Sequence, residues 1–84
     1  MSTLDRINSM APTEAVRGAL VLLDRLQVEA PETQVMGTAV LLLVMCQGLK
    51  LNVSELMNKA DRMCADGDLM RPVSALRDYV KGEL

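Results

Sequence analysis

The sequence predicts an all-α protein, a compact bundle of about five short helices around a central apolar helix at residues ~32–47. Three observations carry that expectation. Pro12, Pro31 and Pro72 each stand where a helical pattern begins, the position at which a missing N–H costs least. Apolar residues recur at spacings of three and four, with no alternating run of the kind a half-buried strand shows. Finally, the stretch from Val35 to Cys46, VMGTAVLLLVMC, is apolar at 10 of its 12 positions and has no polar face. A helix that is apolar all round has to be covered all round, so this one is expected at the centre.

The first helix, roughly Thr3 to Met10, is short, with Ser2 or Thr3 as its cap and Leu4, Ile7 and Ala11 along one side. The second, about Pro12 to Gln27, gathers Ala15, Val16, Ala19, Leu20, Leu22, Leu23 and Leu26 on one arc and Glu14, Arg17, Asp24 and Arg25 opposite. Val21 falls among the charges, where an exposed valine beside Gly18 and Arg25 suits a small partner contact. The third helix opens with Glu32 in its first turn, where a negative charge complements the helix dipole, and is expected to stop at Gly48 in the left-handed conformation. Gly37 and Thr38 keep its early turns thin enough for another helix to approach closely.

The fourth helix is announced by a capping box, Asn52 accepting from the new turn while Glu55 reaches back. Its predicted apolar stripe is Val53, Leu56, Met57, Ala60, Met63 and Cys64. Residues 65–68 read as a turn, and a last helix from about Pro72 to Lys81 is expected to face Val73, Leu76, Tyr79 and Val80 inward. At 84 residues the chain suits one helical domain, residues 1–84, at a size that buries only about 60 to 65 % of the surface its extended chain exposes. Burial of Leu41, Leu42, Leu43 and Val44, at about 1.5 to 3 kcal/mol each, would make the third helix the chief source of stability. The apolar arcs of its neighbours are narrow, however, and a second copy is expected to supply the missing cover through a two-fold interface.

Composition removes several kinds of chemistry. There is no His, which takes away the common general base and metal ligand together, and Tyr79 is the sole aromatic, so stacking on nucleobases has almost nothing to work with. Cys46 and Cys64 fall on apolar positions and read as reduced core thiols. The acids Asp61, Asp66 and Asp68 do not reproduce the ligand spacing of a calcium loop. No catalytic residue, cofactor or metal site is therefore expected. The N-terminal stretch lacks the basic start and apolar run of a signal peptide, and the segment through Leu51 is interrupted by Gln47 and Lys50, short of the ~18 apolar residues of a membrane span. The expected location is the cytoplasm, of a bacterium or of a phage-infected host cell, since chains of this size are often accessory proteins of phages, plasmids or bacterial regulatory systems.

What composition leaves is a small non-enzymatic interaction module, an adaptor, inhibitor or regulator that binds another protein through a Met- and Leu-rich surface and pairs as a homodimer. Val21, Arg25, Met36, Met70 and Tyr79 are its candidate partner-binding residues. The alternative is a helix-turn-helix DNA-binding regulator spanning residues ~40–64, in which Lys50, Asn58, Lys59 and Arg62 would meet the nucleic acid. A net charge of −2 and a pI near 4.9 disfavour that partner.

Overall fold

A computed structural model of the chain describes residues 2–65 and 70–83, apart from the side chains of residues 70–72 and 83. Its helices are α1 (Thr3–Ser9), α2 (Pro12–Leu26), α3 (Pro31–Leu49), α4 (Val53–Ala65) and α5 (Met70–Glu83), with no strand among the described residues. The all-α class and the five helices are as the sequence predicts. The turn expected at residues 66–68 lies outside the described residues.

Local chemistry accounts for most helix ends. Ser2 Oγ accepts from the Asp5 N–H at 3.1 Å while the Asp5 carboxylate accepts from the Ser2 N–H at 3.3 Å, a reciprocal pair that satisfies two donors at the start of α1. Pro12 and Pro31 occupy the first turns of α2 and α3, where no side chain caps the helix. Asn52 Oδ1 accepts from the Glu55 N–H at 3.0 Å, the forward half of the box expected at α4.

The C-terminus of α3 departs from expectation. Gly48 remains helical and Lys50 takes the left-handed conformation instead, at φ 56° and ψ 45°. The Leu51 N–H donates to the Cys46 carbonyl at 2.8 Å and the Lys50 N–H to the Gln47 carbonyl at 3.4 Å, the pair of bonds that closes a helix around a left-handed residue. Leu51 is drawn inward by this turn and is half-buried, which fixes the stop two residues later than a glycine rule alone would place it.

α2 and α5 bury the residues the periodicity selects. Ala15, Val16, Ala19, Leu20, Leu22, Leu23 and Leu26 are all at least half-buried, Val73 is fully buried, and Leu76, Tyr79 and Val80 are half-buried. α5 packs on both α2 and α4, and α3 packs on α4. On α4 the covered arc is rotated from the one expected: Val53, Leu56, Lys59 and Met63 turn inward, while Met57, Ala60 and Cys64 face solvent. Lys59 tolerates this position because a long aliphatic stem can lie on apolar surface with its ammonium in water.

The larger correction concerns α3. It is not a central helix wrapped on all sides. Only Gln34, Thr38, Leu42 and Cys46, one row at four-residue spacing, turn toward the rest of the chain, and Leu41, Leu43 and Val44 are exposed. The reason is geometric: α2 and α5 spend their single apolar arcs largely on each other, and what remains covers one side of α3. Of the four residues expected to anchor the core through α3, Leu42 alone is partly buried. The chain consequently leaves 6369 Å² exposed, against about 4,900 Å² for a well-packed monomer of 9.2 kDa. Its shape agrees, a slab of 37 × 30 × 18 Å with a radius of gyration of 13.3 Å, where about 12 Å is usual at this length.

Candidate interaction surface

α3 positions the surface by holding its other face in place. Gln34 is 5 % exposed, and its Nε2 donates to the carbonyls of Leu26 and Glu29 at 2.8 Å each, tying the first turns of α3 to the end of α2 and the connection after it. One turn on, Thr38 Oγ1 donates to the Gln34 carbonyl at 2.7 Å. With the row from Gln34 to Cys46 so engaged, the opposite side of the helix points to water along its whole length.

That outward side is apolar. Met36 is 61 % exposed, Val40 56 % and Leu43 48 %, and Val44 is likewise exposed. A shallow groove of about 660 Å³ runs over it, lined by Thr33, Met36, Gly37, Val40, Leu41 and Val44, with Glu32 at one end. Gly37 lies within the groove in open space, where an added Cβ would meet nothing within 4 Å.

Among the candidate partner-binding residues, Met36 lies in this groove, whereas Val21 and Arg25 are exposed on α2 and Tyr79 is half-buried on α5. Met70 opens α5 and its side chain lies outside the described residues. Sequence reasoning missed Val40, Leu41, Leu43 and Val44 as surface residues, having assigned them to the core. The available signal was the narrowness of the neighbouring arcs, since a helix apolar on every side carries no information about which side is covered.

The four residues considered for nucleic acid do converge. Lys50, Asn58, Lys59 and Arg62 line one cleft of about 390 Å³ between the end of α3, α4 and α1. Glu55 lies among them, and Leu4 and Asn8 of α1 form the other wall, so the cations sit in a concavity with an acid at hand. Of the two thiols, Cys46 is buried and Cys64 exposed, which corrects the expectation of two core cysteines. Cys64 is turned out by the same rotation of α4 that brings Lys59 in. No group of three or more His, Cys, Asp and Glu is placed to hold a metal ion among the described residues.

α3 also has the length and composition of a membrane-crossing helix, at 19 residues, although the apolar run was expected to fall short. The helix extends past the run at both ends, which supplies the missing length. No protein family matches this chain, nor does any curated protein or any solved structure.

Proposed function

We propose that the chain is a small non-enzymatic protein–protein interaction module whose working surface is the outward apolar face of α3. The observation that carries this reading is the exposure of Met36, Val40, Leu43 and Val44 on a helix tied from behind by the two hydrogen bonds of Gln34. Leaving such a face in water forfeits about 25 cal/mol for each Å² of apolar surface, which a docked protein recovers. Protein is favoured over lipid as the covering material because the inner row of α3 is already engaged: crossing a bilayer would break the Gln34 bonds to α2 or carry the charged faces of α2 and α4 into hydrocarbon.

A photo-crosslinking residue at Val44, compared with one at Arg17 on the polar side of α2, tests the reading in cells that make the protein. Discrete protein adducts from position 44, lost on Val40→Glu and absent from position 17, are expected. Equal labelling from both positions, or labelling of lipid alone, rejects it.

A second reading draws on the cleft that assembles Lys50, Asn58, Lys59 and Arg62, a helix-turn-helix regulator gripping DNA through α4. Glu55 within the cleft and the wall built by α1 weigh against it, because a recognition helix must stand clear to enter a groove about 12 Å wide. Salt-dependent retardation of duplex DNA, abolished by Lys59→Ala with Arg62→Ala, would establish it in place of the first.

A further inference from the structure

We infer that the occupant of the α3 face is α3 of a second copy, packed antiparallel about a two-fold axis that passes beside Val40. This rests on the reading of that face as a protein-docking surface and names what docks.

Area is the first argument. The chain exposes 6369 Å², about 1,400 Å² more than a well-packed monomer of its mass. Eight of the thirteen large apolar side chains exposed among the described residues stand on α3, and hiding even half of the excess there on two copies buries roughly 1,400 Å² in total, the size of a standard specific interface.

The order of residues along the face is the second. Thr33, Met36/Gly37, Val40, Leu43/Val44 and Gln47 repeat at alternating steps of three and four, the spacing that keeps one stripe against a neighbouring helix crossed at about 20°. The stripe is symmetric about Val40. Met36 and Val44 lie four residues to either side, so an antiparallel partner sets Met36 against the partner's Val44. Gly37 and Leu43 lie three to either side, and the gap at Gly37, open to any added Cβ, receives the partner's Leu43. Thr33 and Gln47, seven to either side, bring two polar side chains together at each rim, where a hydrogen bond costs no buried orphan.

The open position at Gly37 chooses the direction. A parallel pair sets each position beside its own copy, Gly37 next to Gly37, and leaves the space there unfilled, whereas the antiparallel register fills it with the partner's Leu43.

The test uses the full chain with Cys64→Ser, which leaves only the buried thiol of Cys46. Sedimentation equilibrium is expected to show a dimer, and Val40→Glu, which sets two carboxylates together on the axis, to weaken it by more than ~100-fold with the helical circular dichroism unchanged. Under mild oxidation Val40→Cys is expected to cross-link with itself. Met36→Cys and Val44→Cys are expected to cross-link with each other when mixed, and neither with itself, because identical positions lie about 12 Å apart along the axis. Self-cross-linking at Met36→Cys overturns the antiparallel arrangement. A chain that stays monomeric through the micromolar range, yet still gives protein adducts from position 44, overturns the second copy and leaves the docking surface standing. Partition of the chain into phosphatidylcholine vesicles, blocked by Val40→Glu, overturns both.

Discussion

The side-chain amide of Gln34 donates to the backbone carbonyl of Leu26 at 2.8 Å, and the same nitrogen reaches the carbonyl of Glu29 at the same distance. A carbonyl at the end of a helix has no partner within that helix; the Glu29 N–H reaches the Leu26 carbonyl at 3.0 Å, and Gln34 of the next helix adds a second donor. Gln34 is thus the C-terminal cap of α2 as well as a core residue of α3.

Replacing Gln34 with Leu keeps the volume and removes both donors. The expected loss is about 1 kcal/mol, because the Leu26 carbonyl keeps the Glu29 N–H at 3.0 Å and part of the penalty at the Glu29 carbonyl is offset by removing Oε1, which accepts no hydrogen bond among the described residues. In a chain of this length that lowers the melting temperature by roughly 4–8 °C. An unchanged melting temperature would show that the two bonds contribute nothing net.

Gln34→Glu adds a pH dependence whose sign follows from the same geometry. An ionised carboxylate has nothing to donate to two carbonyl oxygens, whereas the protonated acid donates to one of them, so burial and these neighbours raise the folded-state pKa above the ~4.3 of the unfolded chain. A raised folded pKa means that this contribution is fully present below about pH 4.3 and is lost as pH rises through the folded value. Urea unfolding near pH 4 and pH 7 should therefore show the gap between native protein and variant widening toward neutrality. A gap independent of pH would place the side chain in water.

The turn after α3 yields a substitution that stabilises. A lysine in the left-handed region carries a steric cost of about 1 kcal/mol that glycine escapes, while glycine gives back part of it through the greater freedom of its unfolded chain. Lys50→Gly is expected to add about 0.5 kcal/mol, best measured in the Val40→Glu background, where association makes no contribution. A loss of stability there would indicate that the Lys50 side chain is worth more to the fold than its backbone costs.

The elements legible in the sequence are those whose residues differ in polarity from side to side. Every inward residue named for α2 and α5 is at least half-buried, because a charged arc such as Glu14, Arg17, Asp24 and Arg25 states directly which side faces water. α3 offers no such contrast, and treating it as covered all round reversed the environment of Leu41, Leu43 and Val44. α4 is an intermediate case: Met57 and Cys64 are apolar enough to suggest burial, yet Lys59 is the residue turned inward, into the cleft it shares with Leu4 and Asn8 of α1. The outward apolar face was unreadable for the same reason that the core was overestimated, since both depend on which side of α3 its neighbours reach.

The thiols report that geometry cheaply. Cys64 is exposed and Cys46 is buried on the inner row of α3, so a thiol reagent under native conditions should titrate one cysteine per chain promptly and the second only after denaturant is added. Prompt reaction of both would mean that the inner side of α3 opens readily.

Leu42 and Leu43 are adjacent in sequence and lie on different sides of α3, the first half-buried on the row from Gln34 to Cys46 and the second exposed on the outward stripe. The same substitution at the two positions separates folding from association. Leu42→Asp places a carboxylate against the interior of a chain whose total stability is of order 5–15 kcal/mol, at a cost of several kcal/mol, and is expected to abolish cooperative unfolding. Leu43→Asp is expected to leave the helical circular dichroism of a monomer intact while removing the dependence of melting temperature on protein concentration that a dimer imposes. Were α3 the enclosed core helix that its composition suggests, both variants would unfold alike, and a folded Leu43→Asp chain beside an unfolded Leu42→Asp chain is what a helix with one side occupied and the other free for a partner requires.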